Sequence, residues 1–144
     1  MNIAVIGTGM VGRLIAVELS REHQVCAIDN NSENLNLLNK YNPKIITNEV
    51  DIIKEDFLSN LNADLIVNCV PGFMGFDTSK KILKENTCVD ISFMPEDCYD
   101  LEDYAIKANT ALYPDAGVAP GLSNIIVGNL ISNYDIDEIK IMVG

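Results

Sequence analysis

Three glycines spaced G-x-G-x-x-G, Gly7, Gly9 and Gly12, follow directly on the apolar run Ile3-Ala4-Val5-Ile6 and open an amphipathic stretch leading to a second apolar run that ends in Asp29. A strand, a tight turn, a helix and a second strand in that order point to a parallel βαβ unit. Gly7 permits the turn out of the strand, Gly9 lets the backbone approach a pyrophosphate with no Cβ in the way, and Gly12 lets the helix lie close on the sheet. The turn residues Thr8, Met10 and Val11 complete a site in which the helix N-terminus faces phosphate groups. Val11, Leu14, Ile15 and Leu19 mark the expected apolar face of that helix, opposite Arg13, Glu18, Arg21 and Glu22. The bland alternative is a nucleotide-free doubly wound domain with a coincidental turn; the acid at the expected distance argues for dinucleotide binding.

Asp29 also bears on which dinucleotide is bound. A carboxylate at the end of the second strand can accept both hydroxyls of the adenosine ribose, whereas a 2′-phosphate would meet it as a like charge. At ~4 Å and an effective dielectric of ~20, each unit of like charge costs on the order of 4 kcal/mol. The next residues, Asn30, Asn31 and Ser32, bring no cation to offset this, and the nearest basic residue onward is Lys40. NAD is therefore expected over NADP. Arg13 is the one nearby cation that could weaken this expectation, unless it is a solvated residue of the helix face.

The net charge of −11 and pI near 4.3 argue against a nucleic-acid surface, which needs clustered lysine and arginine. The densest acidic group, Glu96 to Asp103, is expected as the solvated first turns of a helix. Cys26, Cys69, Cys88 and Cys98 show no metal-ligand spacing, and His23 is the single histidine, so no metal site is expected. Nor is there a G-x-S-x-G elbow. With no long apolar run and no basic leader before the first strand, the expectation is one soluble cytoplasmic domain.

Beyond Asp29 the chain keeps alternating helix and strand. The pattern predicts a helix over 32–40, a third strand at 44–47 or 50–52, and a helix over 53–61. A buried strand over 63–70 then runs into Pro71-Gly72, with Asp77 or Thr78 capping the next helix through Leu83. A fifth strand covers 88–91, and a helix starts at Pro95 with Leu101, Tyr104, Ala105 and Ala108 as its apolar face. Ala111-Leu112-Tyr113 is the sixth strand. Six parallel strands in the order 3-2-1-4-5-6, with helices on both faces, give a three-layer α/β fold of the Rossmann type. Ligands in such folds lie outside the strand carboxyl ends, which places Cys69, Val70, Pro71 and Gly72 at the ribose and nicotinamide end and makes Asp51 and Ile52 candidates for the adenine.

The segment Pro114-Asp115-Ala116-Gly117-Val118-Ala119-Pro120-Gly121, with Asn68-Cys69-Val70-Pro71-Gly72-Phe73, Val89-Asp90-Ile91-Ser92-Phe93 and the closing Ile139 to Gly144, resembles the saccharopine dehydrogenase family across essentially the whole chain. The resemblance implies NAD(P)-dependent oxidation of a carbon that bears an amine, with an amino acid as substrate. Ala119 before Pro120, and Ser123-Asn124 after Gly121, look more like the lysine 6-dehydrogenase branch than the branch that forms glutamate from saccharopine. The family also implies a substrate domain of roughly one to two hundred further residues. Residues 1–132 are then the cofactor domain, and 133–144 begin a substrate and dimerisation domain through which a homo-oligomer is expected.

Two features agree with that division. The helix over 122–131 is apolar nearly all round, and 136–143 reads as a strand with no remaining partner. Both want covering, unless the helix packs under the sheet edge. Asp115 is the candidate catalytic residue, able to reach the nicotinamide pocket or orient the amine, or else an Asx-turn residue. Gly117 belongs to the same loop. Ser92 could touch the nicotinamide ribose or cap a helix. Residues 1–40 alone would equally suit a non-catalytic nucleotide-sensing domain of the potassium-transport type, but such domains lack the loop from Asp115 to Gly121.

Overall fold

A computed structural model describes residues 1–142 of the chain. Six strands, β1 (Asn2–Ile6), β2 (Gln24–Asp29), β3 (Ile46–Glu49), β4 (Leu65–Asn68), β5 (Cys88–Asp90) and β6 (Leu112–Tyr113), form one parallel sheet. Its order is β3-β2-β1-β4-β5-β6, as the alternation of elements predicts. The connecting helices are α1 (Met10–Leu19), α2 (Ser32–Tyr41), α3 (Gly72–Ile82) and α4 (Glu102–Ala108), and α5 (Leu122–Asn133) follows β6.

The period of two in β1 divides the core into two layers. Ile3 and Val5 pack with Ala16, Val25, Ala27, Leu38 and Val67 on the α1/α2 face. Ala4 and Ile6 pack with Ile28, Ile66, Ile82, Leu83 and Leu101 on the other. Each fully buried aliphatic side chain contributes about 1.5–3 kcal/mol, so these interior strands carry most of the favourable burial.

Several expectations are corrected. On α1 the packed side is Gly12 and Ala16, with Ile15 and Leu19 partly buried, while Val11 and Leu14 are 58% and 66% exposed. Gly12 touches the carbonyl of Gly7, and that contact fixes the rotation of the helix. Residues 53–61 are turns rather than a helix. The Asp51 and Asp56 carboxylates accept from the amides of Ile53 and Leu58 and so give the backbone an alternative to helical bonds.

The helix expected from Asp77 or Thr78 starts five or six residues earlier, at Gly72, and Thr78 is buried in its interior. Pro95 does not begin α4: Asp97 caps a 3-10 turn over Cys98–Leu101, and the α-helix follows at Glu102. No strand forms over 136–142, and Val143 lies outside the described residues. The helix α5 does not pack under the sheet edge, for none of its residues is buried.

Candidate functional site

The carboxyl ends of β1, β2 and β4 surround a cleft of about 780 Å³, within the usual range for small-molecule and cofactor sites. Gly7, Gly9, Met10, Val11 and Gly12 line one side of it. The second boundary is Asp29, Asn30, Asp51 and Ile52, and the third is Cys69, Val70 and Pro71. The structure therefore gathers twelve of the sequence-named residues around one opening. Asn31, Asn34, Val50, Phe73 and Met74 also line it and were not singled out in the sequence. Asn31 carried a signal as an N-cap, since its side chain accepts from the Glu33 amide. The aromatic Phe73 directly after Pro71-Gly72 carried another, and the structure leaves it 78% exposed.

Each glycine of the turn meets a different environment. A Cβ on Gly12 would lie 1.9 Å from the Gly7 carbonyl oxygen and 3.0 Å from the Cβ of Cys69. Gly7 has φ +86°, and a Cβ there would meet the Cys69 carbonyl at 2.7 Å. A Cβ on Gly9 would meet nothing within 4 Å. Gly7 and Gly12 thus hold the strand, helix and β4 end together, while Gly9 leaves open space above the first turn of α1. Amides in that first turn have no carbonyl partner inside the helix, and with the helix dipole they suit a pyrophosphate.

Asp29 is tied to this turn. Its Oδ2 accepts from the Thr8 amide at 2.7 Å, the Thr8 hydroxyl at 2.9 Å and the Asn34 side chain at 3.3 Å. Its Oδ1 accepts only the Asn31 amide, at 2.8 Å, and keeps acceptor capacity for a ribose hydroxyl. Thr8 itself is fully buried, so its role is to hold Asp29 rather than to line the cleft. The Arg13 guanidinium sits over the Tyr41 ring, 5.9 Å from its centroid, and is not among the residues lining the cleft. The Lys54 ammonium, 2.8 Å away, and then the Ile53 amide hold the Asp51 carboxyl below the usual carboxylate range.

Besides Thr8, the sequence-named residues Gly72, Ser92, Gly117 and Asp115 stand outside the cleft lining. Ser92 neither caps a helix nor lines the opening: its amide and hydroxyl both donate to Asp90 Oδ1, at 2.8 and 2.7 Å. Gly117 bridges to Gly121 and accepts the Leu122 amide. Asp115 follows β6 with φ +51°, is exposed, and its carboxylate makes no hydrogen bond among the described residues, so it does not form the Asx turn. Burial first, and then the negative charge of Asp90, push the Cys69 thiol up to about 12. Burial pushes Cys88 to about 12 as well, although the hydrogen bond from Ser79 opposes it.

Among the described residues no group of three or more His, Cys, Asp or Glu side chains could hold a metal ion, and no helix is long and apolar enough to cross a membrane.

A parallel sheet of this order, with a glycine turn and a helix N-terminus over its central cleft and an acid at the end of β2, defines an NAD(P)-binding domain of the dehydrogenase type. Residues 3–119 match the family described as the saccharopine dehydrogenase NADP binding domain, and the chain belongs to that family.

Among solved structures, apo saccharopine dehydrogenase (L-Glu forming) from Saccharomyces cerevisiae superposes with a TM-score of 0.79 at 18% identity, covering 91% of this chain and 30% of the yeast chain. The WlbA dehydrogenase of Bordetella pertussis, in complex with NADH and UDP-GlcNAcA, gives 0.69 at 14% identity, with coverages of 91% and 41%. Its Thermus thermophilus counterpart, in complex with NAD and UDP-GlcNAcA, gives 0.68 at 13%, with coverages of 93% and 47%. At these identities the likeness is one of fold. The chain spans less than half the length of each. A search of curated proteins returned no match.

Proposed function

We propose that this chain is the cofactor-binding part of an NAD-preferring dehydrogenase that oxidises a carbon bearing an amine in an amino acid of the lysine or saccharopine type. The observation that carries the cofactor half is the pairing of open space above Gly9 with an Asp29 carboxylate whose Oδ1 has one donor. The first-turn amides of α1 bind the pyrophosphate, and Asp29 takes the ribose hydroxyls. Asp29 also repels a 2′-phosphate, with no cation on the cleft wall beside it to offset the charge. Ile52 and Val50 offer apolar surface to the adenine.

The substrate half rests on the family and on the loop from Asp115 to Gly121. The bound nicotinamide would supply a hydride acceptor for the carbon that bears the amine, whose nitrogen gives up a proton as the imine forms. To Asp115, which is exposed outside the cleft lining and whose carboxylate makes no hydrogen bond among the described residues, we assign the role of orienting that amine or taking the proton. Under this reading residues 1–132 form the cofactor unit and 133–144 open the substrate and dimerisation unit. The non-catalytic sensor reading gains nothing, because the family match runs through the second half of the chain to residue 119.

The test has two parts: calorimetric titration of the chain with NADH and NADPH, and an assay of NAD reduction by the protein with lysine and with saccharopine. Tighter NADH binding with turnover of either amino acid supports the proposal. Turnover of neither, in a protein that binds NADH and carries the substrate unit in full, sinks the substrate half alone.

A further inference from the structure

Asp90, at the end of β5, is 1% exposed, and every donor it meets is neutral. Its Oδ2 accepts from the Asn68 side-chain amide at 2.7 Å and from the Ser79 hydroxyl at 2.9 Å. Oδ1 accepts the amide and hydroxyl of Ser92. The Asp90 carbonyl accepts the Ala116 amide at 2.9 Å, and the Asn68 carbonyl accepts the Ile91 amide at 3.0 Å. Asn68 Nδ2 also reaches the Gly75 carbonyl, at 3.2 Å. One buried residue thus ties together the end of β4, the helix α3, the turn after β5 and the loop after β6.

These segments interlock without slack. A Cβ on Gly75 would lie 1.9 Å from Ser92 Oγ, and one on Gly72 would lie 2.7 Å from the Phe93 carbonyl oxygen. The sheet register makes Ile6, Asn68 and Asp90 successive neighbours, so the network sits on the β4–β5 side of β1, away from Asp29 on β2. In a doubly wound dinucleotide fold that side carries the second mononucleotide. A buried carboxylate is a costly way to fill a strand end, and it persists only where several donors satisfy it. Here those donors are the groups that fix the loops beside Cys69, Val70 and Pro71.

We infer that Asp90 is a positioning residue which sets the affinity for the nicotinamide half of the dinucleotide, without touching it, by locking the loops after β4, β5 and β6 into one unit. This rests on the reading of the cleft under Proposed function.

The test compares NADH with ADP-ribose, which lacks the nicotinamide, by calorimetry on the wild type, Asp90→Asn and Ser79→Ala. Asp90→Asn replaces one acceptor oxygen with an NH2 group that must face either Asn68 and Ser79 or the amide and hydroxyl of Ser92, and Ser79→Ala removes one donor while leaving the carboxylate, a milder change should the first variant fold poorly. The expected result is NADH weakened about tenfold in Asp90→Asn and less in Ser79→Ala, with ADP-ribose unchanged. Equal weakening of both nucleotides marks a general structural role and overturns the inference, as does no change in either. A wild type that binds ADP-ribose and NADH equally overturns it while leaving the adenosine half of the cleft in place.

Amide hydrogen exchange gives a readout that needs no nucleotide. Faster exchange at Ser92 and Ala116 in the variants, with Gly7 and Thr8 unchanged, is the expected pattern. Uniform acceleration across the sheet contradicts the locking role. If the wild type binds neither nucleotide, the cofactor reading falls, and exchange still decides whether Asp90 holds these loops.

Discussion

Thr8 and Asp29 are joined twice: the amide and the hydroxyl of Thr8 both donate to one carboxylate oxygen of Asp29, at 2.7 and 2.9 Å. The glycine turn and the residue proposed to select the cofactor are therefore one mechanical unit, although twenty-one positions separate them in sequence. Two substitutions divide its roles. Asp29→Ala removes the ribose acceptor and should weaken NADH about tenfold or more while narrowing its advantage over NADPH. Thr8→Val keeps the shape and the charge but loses one donor, so both nucleotides should weaken by a similar, smaller factor, with about 1–2 kcal/mol lost from stability. Calorimetry with both nucleotides, beside urea unfolding, checks each. An unchanged preference in Asp29→Ala would mean that the selector lies elsewhere.

Gly9 and Gly12 should respond oppositely. A side chain on Gly9 enters open space, so Gly9→Val should leave the unliganded fold within about 1 kcal/mol of wild type yet abolish binding of both nucleotides by blocking the pyrophosphate. Gly12→Ala drives a methyl into the Gly7 carbonyl, and several kcal/mol of stability should be lost before binding is considered. Thermal unfolding of the two variants separates ligand space from packing space. Comparable loss of stability in both would show that Gly9 is a packing residue too.

The raised thiols give a pH dependence with a definite sign. Cys69 and Cys88 are pushed up to about 12, whereas in the unfolded chain they titrate near the usual cysteine value. Above roughly pH 9 the unfolded chain gives up these protons and the folded chain keeps them, so stability is full below that pH and falls as pH rises toward 12. The slope is on the order of 1 kcal/mol per pH unit for each thiol. Urea midpoints measured between pH 8 and 11 should decline, and Cys88→Ala should flatten the decline. Iodoacetamide at pH 8 should accordingly label Cys98 before Cys69 or Cys88. A flat profile would place these thiols in contact with solvent.

How much of this was legible from the residues depends on how local the determinants are. The glycine spacing, the apolar runs and Asp29 fixed β1, α1 and β2 and most of the cleft wall, because each glycine acts on atoms a few positions away. The rotation of α1 was misread, since Val11 and Leu14 look like core residues until Gly12 is seen to require the face against Gly7. The helix α3 starts at Gly72, where a side chain would meet the carbonyl of Phe93, twenty-one residues on, a contact no local pattern contains. At 53–61 the mix of polar and apolar residues suits a helix, and the short carboxylates of Asp51 and Asp56 decide for turns. Ser92 was noticed as a cofactor or capping residue, but its partner, Asp90, looked like an ordinary strand residue.

The most direct measurement is calorimetric titration of the chain with NADH and with NADPH at one ionic strength; with no tryptophan present, intrinsic fluorescence is a poor reporter. Asp29, with Oδ1 free to take a ribose hydroxyl and no cation on the cleft wall beside it, predicts that NADH binds at least about tenfold more tightly. Equal or tighter binding of NADPH would contradict the selector. Binding of neither would contradict the reading of the cleft.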